Sequence, residues 1–403
     1  MKRTSTYFIL ATIFLGTLIF TSCEKEIVYP EPHVDTNVYH PGTHFTLREW
    51  SDLTEELNMP EEAFDYSVTG TNNSNKQYYL GTFGRALFYD NNLSTDGLVS
   101  CASCHQQKLG FSDDVDFSIG THGELTKRNS IALGGFTELG GHYGGSASTG
   151  FTTVPFFWDE RQRNFNDQLQ ETIENPDEMG IDMDDLQWLI ENKRHYKVLR
   201  EKAFPNTEPF HGQAIQALKQ FVSSINSRNS KFDKAAPESK FKPNFVKHFE
   251  NFTSEENQGK SIFIAHCSSC HEKPTFDVIR QDFSFQSSKA NNGLDLIYAD
   301  KGVATHTHYN KDDGVFKIPG LKNISITAPY MHDGRFETLE EVVDFYNEGI
   351  QNHENLDERL KSDGEIMQMN LSANEKAALI SFLKTLTDEE MLVHEKWSDP
   401  FKR

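Results

Sequence analysis

The chain is 403 residues long and carries 39 Lys and Arg against 60 Asp and Glu, a formal charge of −21. So acidic a surface argues against a nucleic-acid partner and favours a basic or locally complementary one, although the same charge would also serve solubility alone. The length suits two domains, each able to bury its own core.

In chain order, residues 1–23 read as an export signal. Lys2 and Arg3 precede an apolar stretch from Tyr7 to Phe20, too short for a spanning helix, and Thr21-Ser22-Cys23 comes next. The pattern is similar to a bacterial lipoprotein signal, with Cys23 as the lipidated first residue; the alternative is an ordinary cleaved signal with a stray cysteine. Either form places the protein in the bacterial cell envelope. A lipid anchor at Cys23 would tether a soluble body to a membrane, facing the periplasm, with the cell-surface face left open. Residues 24–75 read as a spacer, and no later segment is apolar enough to span a bilayer.

Leu80, Phe83, Leu87 and Phe88 predict a helix up to Tyr89, ahead of Cys101-Ala102-Ser103-Cys104-His105. Ile215, Leu218, Val222 and Ile225 mark another amphipathic helix. Lys231 to Phe245, with Pro237 and Pro243, reads as an interdomain linker. The capping-box pattern Thr253-Ser254-Glu255-Glu256 opens a helix through Ile262, Phe263 and Ile264 into Cys267-Ser268-Ser269-Cys270-His271. Two further boxes, from Thr338 to Glu341 and from Ser372 to Glu375, predict helices ending near Gly349 and Leu386. Strand signals are few and short.

Two copies of Cys-x-x-Cys-His dominate the chemistry. In that pentapeptide the thiols of Cys101 and Cys104, or Cys267 and Cys270, bond to the vinyl groups of a haem, and His105 or His271 becomes an axial ligand of its iron. A Cys₄ zinc site is the competing reading, but zinc gives no reason for a histidine directly after both pairs. The expectation is a mainly α chain with two cytochrome c-like haem domains and long functional loops, spanning residues 76–235 and 236–403, each with one covalent c-type haem.

Around these motifs the chain resembles the bacterial di-haem cytochrome c peroxidases and their relative MauG. The resemblance runs from about Leu80 to Leu386 and rests on ordered motifs. These are Leu93-Ser94, the first haem motif, Ser118-Ile119-Gly120, Arg128-Asn129-Ser130, Phe157-Trp158-Asp159-Glu160-Arg161 and Glu174-Asn175-Pro176-Asp177-Glu178-Met179-Gly180. The second haem motif, Leu321-Lys322-Asn323 and Thr327-Ala328-Pro329-Tyr330-Met331-His332-Asp333-Gly334 come after them. The resemblance implies that the N-terminal haem is the peroxide site, with Glu178 and Gln168 in its distal pocket and Trp158 between the haems. A carboxylate near the iron can take the proton from one peroxide oxygen and deliver it to the other, and the amide of Gln168 can orient peroxide or water. The resemblance also implies a calcium ion held by Asn129 and the carbonyls of Thr327 and Pro329, oxygen donors that suit that ion; a loop asparagine and an ordinary Thr-Ala-Pro turn are the alternative.

Two positions depart from the peroxidase pattern. A distal histidine often comes just after the Ser-Ile-Gly triplet; here Thr121 holds that place and His122 comes one later, so whether His122 ligates the N-terminal haem stays open. The second haem of the peroxidases takes a methionine fourteen residues after the histidine of Pro-Tyr-x-His. Here that position is Tyr346, as in MauG. Leu339, Val342, Val343 and Tyr346 share helical spacing, which by itself describes a core tyrosine. As an iron ligand, phenolate favours ferric and higher states, whereas methionine favours ferrous iron.

The sequence therefore predicts an exported haem peroxidase. It would react with hydrogen peroxide at the N-terminal haem and pass electrons through a His/Tyr-ligated C-terminal haem, drawing on a small redox protein. MauG-like oxidation of a partner protein or organic substrate is the alternative, and a non-enzymatic di-haem electron-transfer cytochrome is the alternative of another class.

Overall fold

Four helices of 12 to 15 residues form the two principal helix pairs. The structure, a computed structural model, describes residues 64–66, 75–133, 155–235, 248–271 and 289–401; the signal, most of the spacer and Cys23 lie outside them. The described residues all belong to the unit Tyr39–Arg403.

The helices are α1 (Asn75–Tyr89), α2 (Phe165–Glu174), α3 (Met183–Asn192), α4 (Arg194–Ala203), α5 (Gly212–Ser224), α6 (Lys231–Ala235), α7 (Ser254–His266), α8 (Leu339–Asp344) and α9 (Ala373–Lys384), with shorter turns between them. Strands are confined to two antiparallel two-stranded ladders, Lys289–Ala290 with Phe316–Lys317 and Lys361–Ser362 with Glu365–Ile366. The three expected capping boxes form at Thr253, Thr338 and Ser372. At the first, the Glu256 amide donates to Thr253 Oγ1 at 3.1 Å and the Thr253 amide donates back to Glu256 Oε2 at 2.6 Å, satisfying two otherwise orphaned helix-end donors.

The same helix crossing occurs twice. Gly84 on α1 faces Ala217 on α5 so closely that a Cβ on the glycine would stand 1.9 Å from the Ala217 carbonyl oxygen. Gly259 on α7 faces Ala378 on α9, where a Cβ would stand 1.8 Å from that carbonyl oxygen. One turn on, Phe88 meets Phe221 at 5.1 Å between ring centroids, and Phe263 meets Phe382 at 5.2 Å. Each glycine lets two backbones touch, and each phenylalanine pair seals the crossing beside it. Each crossing precedes a haem motif: α7 runs directly into Cys267, and α1 ends a short loop before Cys101.

Two large cores result. One gathers Phe83, Phe88, Leu186, Tyr196, Phe221 and their neighbours; the other gathers Phe232, Phe263, Leu321, Val343, Phe382 and theirs. The C-terminal tail departs from a simple division of the chain. Met391, Trp397 and Phe401 pack into the first core, where Tyr66 and Tyr89 donate to the carbonyls of Lys396 and Trp397. Arg85 donates to the Ser398 carbonyl as well.

Two local expectations change. Lys231–Ala235, read as the start of a linker, is helical, because Phe232 is fully buried in the second core and its amide donates to the Thr385 carbonyl. The helix opened by Thr338 does not keep one register to Gly349: Phe345–Gly349 is a π turn. A π turn takes an extra residue and so rotates the side chains beyond it about the helix axis. Leu339, Val342 and Val343 therefore pack in the second core, while Tyr346 packs in a third cluster with Leu294, Tyr298, Phe316 and Phe345.

Candidate active site

Cys101–Cys104 form a helical turn, with the His105 amide donating to the Cys101 carbonyl at 2.9 Å. Both thiols are free, and burial, with each thiol's acidic or thiol neighbours adding to it, pushes them up to about 12. His105 Nδ1 lies 3.0 Å from the Phe111 carbonyl oxygen and 3.2 Å from Ser130 Oγ. That bond spends Nδ1 as donor and leaves Nε2 as the ligating nitrogen. Burial lowers the imidazole to about 4, so it is neutral at pH 7, the form a metal binds.

The second motif repeats this state. Cys267 and Cys270 are free, with burial raising both and Cys267 reaching about 12. Burial lowers His271 to about 4; the Pro319 carbonyl faces the ring, though Nδ1 lacks a fully aligned hydrogen bond. Arg359, which no sequence signal marks, reaches the Ser269 carbonyl at 3.4 Å and is paired with Asp357 at 2.7 Å.

The donor set fits haem better than zinc. Among the described residues no three His, Cys, Asp or Glu side chains converge at metal-binding geometry, so the two Cys pairs do not build a shared tetrahedral site. Leu98, Val115, Ile119 and Leu125, which flank the first motif in sequence, are large apolar side chains left exposed.

Glu178 stands in the same pocket, near enough that its charge acts on both Cys101 and Cys104. Burial raises its carboxyl, against the opposing effects of Asn175, Arg161 and Thr172. Asn175 Nδ2 donates to Glu178 Oε1 at 2.8 Å. Gln168, on α2, donates from Nε2 to Thr172 Oγ1 at 3.1 Å. Thr172 escapes sequence reading because a threonine on a helix is not distinctive, and Asn175 is quoted there only as part of the motif that contains Glu178.

Thr121 is the residue locked against this pocket. It is buried, its amide donates to the Glu178 carbonyl at 2.9 Å, and its hydroxyl donates to the Pro176 carbonyl at 2.8 Å. Gly120 precedes it because a Cβ there would lie 2.0 Å from the Asp177 carbonyl oxygen. His122 is exposed in left-handed backbone, φ 58°, its amide on Asp96.

Trp158 is fixed at both ends. Its Nε1 donates to the Asn129 carbonyl at 2.8 Å, and its own carbonyl accepts from the Lys317 amide at 2.7 Å. Phe157 and Glu160 on either side have φ of 65° and 56°, costly for such side chains and usually retained where position matters. Trp158 packs in the third cluster, the one that includes Tyr346. Asn129 is buried, with Nδ2 donating to the Val115 carbonyl at 3.0 Å, so Oδ1 is the end suited to a cation. Its amide donates to the His332 carbonyl at 2.8 Å, tying it to the segment that contains Thr327 and Pro329.

Tyr346 lies at the second motif. Burial raises its hydroxyl to about 12; Asn292 opposes this, and the thiols of Cys270 and Cys267 add to it. Asn292 Nδ2 reaches the Tyr346 hydroxyl at 3.4 Å and Met331 Sδ at 3.7 Å.

A family model described as di-haem cytochrome c peroxidase matches residues 80–240. Over 316 residues the chain is 26% identical to cytochrome c551 peroxidase of Nitrosomonas europaea, covering 77% of this chain and 80% of that protein. Over 310 residues it is 29% identical to the methylamine utilization protein MauG of Methylorubrum extorquens, covering 76% and 77%. A solved MauG-like protein associated with microbial copper homeostasis is 30% identical, with a TM-score of 0.63 over 80% of this chain and 93% of that one. The chain belongs to the di-haem cytochrome c peroxidase and MauG family. Members of this di-haem family are c-type haem oxidoreductases, so the protein is an enzyme of the haem peroxidase class. The di-haem peroxidase BthA of Burkholderia thailandensis, 19% identical over 78% of this chain and 87% of that one, shares the family fold at a TM-score of 0.56. Among the described residues of this family member, no helix is long and apolar enough to cross a membrane.

Proposed function

We propose that this family member is an exported di-haem peroxidase that reduces hydrogen peroxide at the N-terminal haem site and passes electrons to it through a C-terminal haem ligated by His271 and Tyr346. Cys101, Cys104 and His105 would hold the first haem, and Cys267, Cys270 and His271 the second. The haems would supply the redox-active iron. The observation that carries the reading is the Tyr346 hydroxyl, buried beside the thiols of the second motif and met by Asn292.

The chain's own residues divide the remaining work. Peroxide reduction takes two electrons and two protons to give two waters. Glu178 is placed to accept the proton of the bound oxygen and return it to the departing one. Asn175 holds that carboxylate in one orientation, and Gln168 orients the oxygen atoms through its amide. Trp158, clamped by Asn129 and Lys317 and packed in the cluster of Tyr346, is the bridge for oxidising equivalents. Asn129, Thr327 and Pro329 would hold a calcium ion that stiffens this junction. Thr121 in the buried position, with His122 exposed beside it, favours a peroxide site without a histidine block.

Tyrosine rather than methionine at the second haem also favours oxidation of a partner protein or organic substrate over simple peroxide removal, since phenolate suits high oxidation states. Cys23 would carry the lipid anchor on the periplasmic face. The deciding experiment is turnover of the purified haem protein with peroxide against reduced small cytochromes. Rapid oxidation supports the peroxidase role; peroxide-induced spectral change without cytochrome oxidation favours the organic or protein substrate. No spectral change with peroxide would sink both.

A further inference from the structure

The loop that presents Asn292 to Tyr346 is pinned on both sides. Its neighbour Asn291 is buried and engages both ends of its side chain. Asn291 Nδ2 donates to the Asp313 carbonyl at 3.1 Å, and Oδ1 accepts from the Gly293 amide at 2.8 Å and from the Tyr298 hydroxyl at 3.3 Å. The Tyr298 hydroxyl in turn accepts from the Leu294 amide at 2.8 Å. Further along, the Gly293 carbonyl accepts from the Gln351 amide at 2.7 Å, and the Asn291 carbonyl accepts from the Asp357 amide at 3.0 Å.

Asn292 itself meets two partners with one nitrogen. Nδ2 lies 3.4 Å from the Tyr346 hydroxyl oxygen and 3.7 Å from Met331 Sδ. A thioether sulfur can only accept, so the NH₂ end of the amide is the end that faces Met331, and the same NH₂ then faces Tyr346. Its two N–H groups suffice for one bond to each. Met331 keeps a φ of 76°, a conformation that costs energy in any residue with a Cβ and marks a side chain whose placement counts. Met331, Tyr346 and Trp158 pack against the same cluster.

We propose that Asn292 is a positioning residue that sets the potential of the second haem site by donating to the Tyr346 oxygen, with Met331 as the acceptor that holds the amide in that orientation. This rests on the reading of Tyr346 as the ligand. An N–H aimed at a phenolate oxygen draws negative charge towards itself, and the oxygen then has less to give to iron. Phenolate favours the ferric state, so Asn292 moderates what tyrosine alone would impose. It keeps the potential above that of a bare phenolate site, within reach of a donor that must still reduce it.

The test uses the haem-loaded full-length protein as wild type, Asn292→Leu, Met331→Leu, Tyr346→Phe and the double variant Asn292→Leu with Tyr346→Phe. Redox titration gives the midpoint potential of the low-spin haem, and the phenolate-to-iron charge-transfer absorption identifies the ligand; neither needs peroxide turnover. Asn292→Leu should keep that absorption and raise the oxidised-to-reduced ratio at a fixed potential by about tenfold, the weight of one charged hydrogen bond, which is a fall of about 59 mV. Met331→Leu, close in volume, should shift the ratio the same way by less. On the Tyr346→Phe background, Asn292→Leu should change nothing further. A wild-type potential in Asn292→Leu, with Tyr346→Phe altered, overturns the role of Asn292 alone. An equal shift with and without Tyr346 means that Asn292 acts through packing, and overturns it as well. A wild-type spectrum and potential in Tyr346→Phe overturn the ligand reading and this proposal together. Should Asn292→Leu fail to load both haems, Asn292→Ala carries the same comparison.

Discussion

Asn292 reaches the hydroxyl of Tyr346 from a loop 54 positions earlier in the chain, 3.4 Å from amide nitrogen to phenol oxygen. An amide donor stabilises a phenolate more than a phenol, yet burial wins and raises the hydroxyl to about 12 without a metal. Deprotonation at neutral pH therefore requires iron. Tyr346→Phe should raise the midpoint potential of the low-spin haem and alter its visible spectrum, read by redox titration. An unchanged spectrum and potential would transfer the ligand role to Met331 or Met367, the thioethers in the same cluster.

Glu178→Gln keeps the volume and the contact with Asn175 but removes the proton acceptor. Loss of a general acid–base typically lowers the rate by about 10²–10⁴. Stopped-flow reaction with peroxide, at matched haem content, should show a fall in that range. Gln168→Ala should cost less, because the amide orients and does not transfer protons.

Replacing Cys101 and Cys104 by alanine should leave one covalently bound haem instead of two, counted by the pyridine haemochrome method after acid–acetone extraction. The same pair of changes at Cys267 and Cys270 should give the same count with the other spectrum retained. Two covalent haems in either variant would contradict the attachment.

Arg128 joins segments distant in sequence. It meets Asp159 at 2.7 Å and Asp300 at 2.6 Å. Burial works against ionisation of both carboxyls, but Arg128 holds them below the ordinary carboxylate range. Their folded values are depressed, so the stability they contribute is present above their unfolded pKa of about 3.9 and is lost as pH falls through the lower folded values. Arg128→Met should destabilise the protein by about 1–3 kcal/mol at pH 7, the usual cost of losing charged hydrogen bonds, because Asp159 keeps its pair with Arg161 at 2.9 Å. Denaturant titrations at pH 7 and pH 3 should also show a smaller acid loss in the variant than in wild type; equal losses would rule out the clamp.

Gly84→Ala and Gly259→Ala each add one methyl where a carbonyl oxygen already stands. Overpacking of this kind costs about 1–3 kcal/mol or more, against the helix propensity alanine gains. Thermal unfolding should fall for both, whereas Gly123→Ala, where no atom lies within 4 Å, should show only the strain of its positive φ.

Helix positions are legible from sequence where local physics is strong. The boxes at Thr253, Thr338 and Ser372 form as expected because their hydrogen bonds lie within four residues. The glycine crossings are not legible, since Gly84 and Ala217 become neighbours only when α1 and α5 pack. Periodicity misplaces the face of Tyr346, because a π turn interrupts the 3.6-residue repeat without a sequence marker. Its hydroxyl lies where the thiols of Cys267 and Cys270 act on it. The contact of Asn175 with Glu178 is not legible in the motif that contains both, because it depends on how the turn after α2 folds.

The tail from Met391 to Phe401 completes a core whose other members end at Ile225. Synthesis runs from the opposite end, so the first half emerges with its core still open along the seam that Trp397 and Phe401 later fill. The final stretch of chain acts as a closing stitch, and a truncation there would be felt around Tyr89 and Phe221, far back in the sequence, before it was felt nearby.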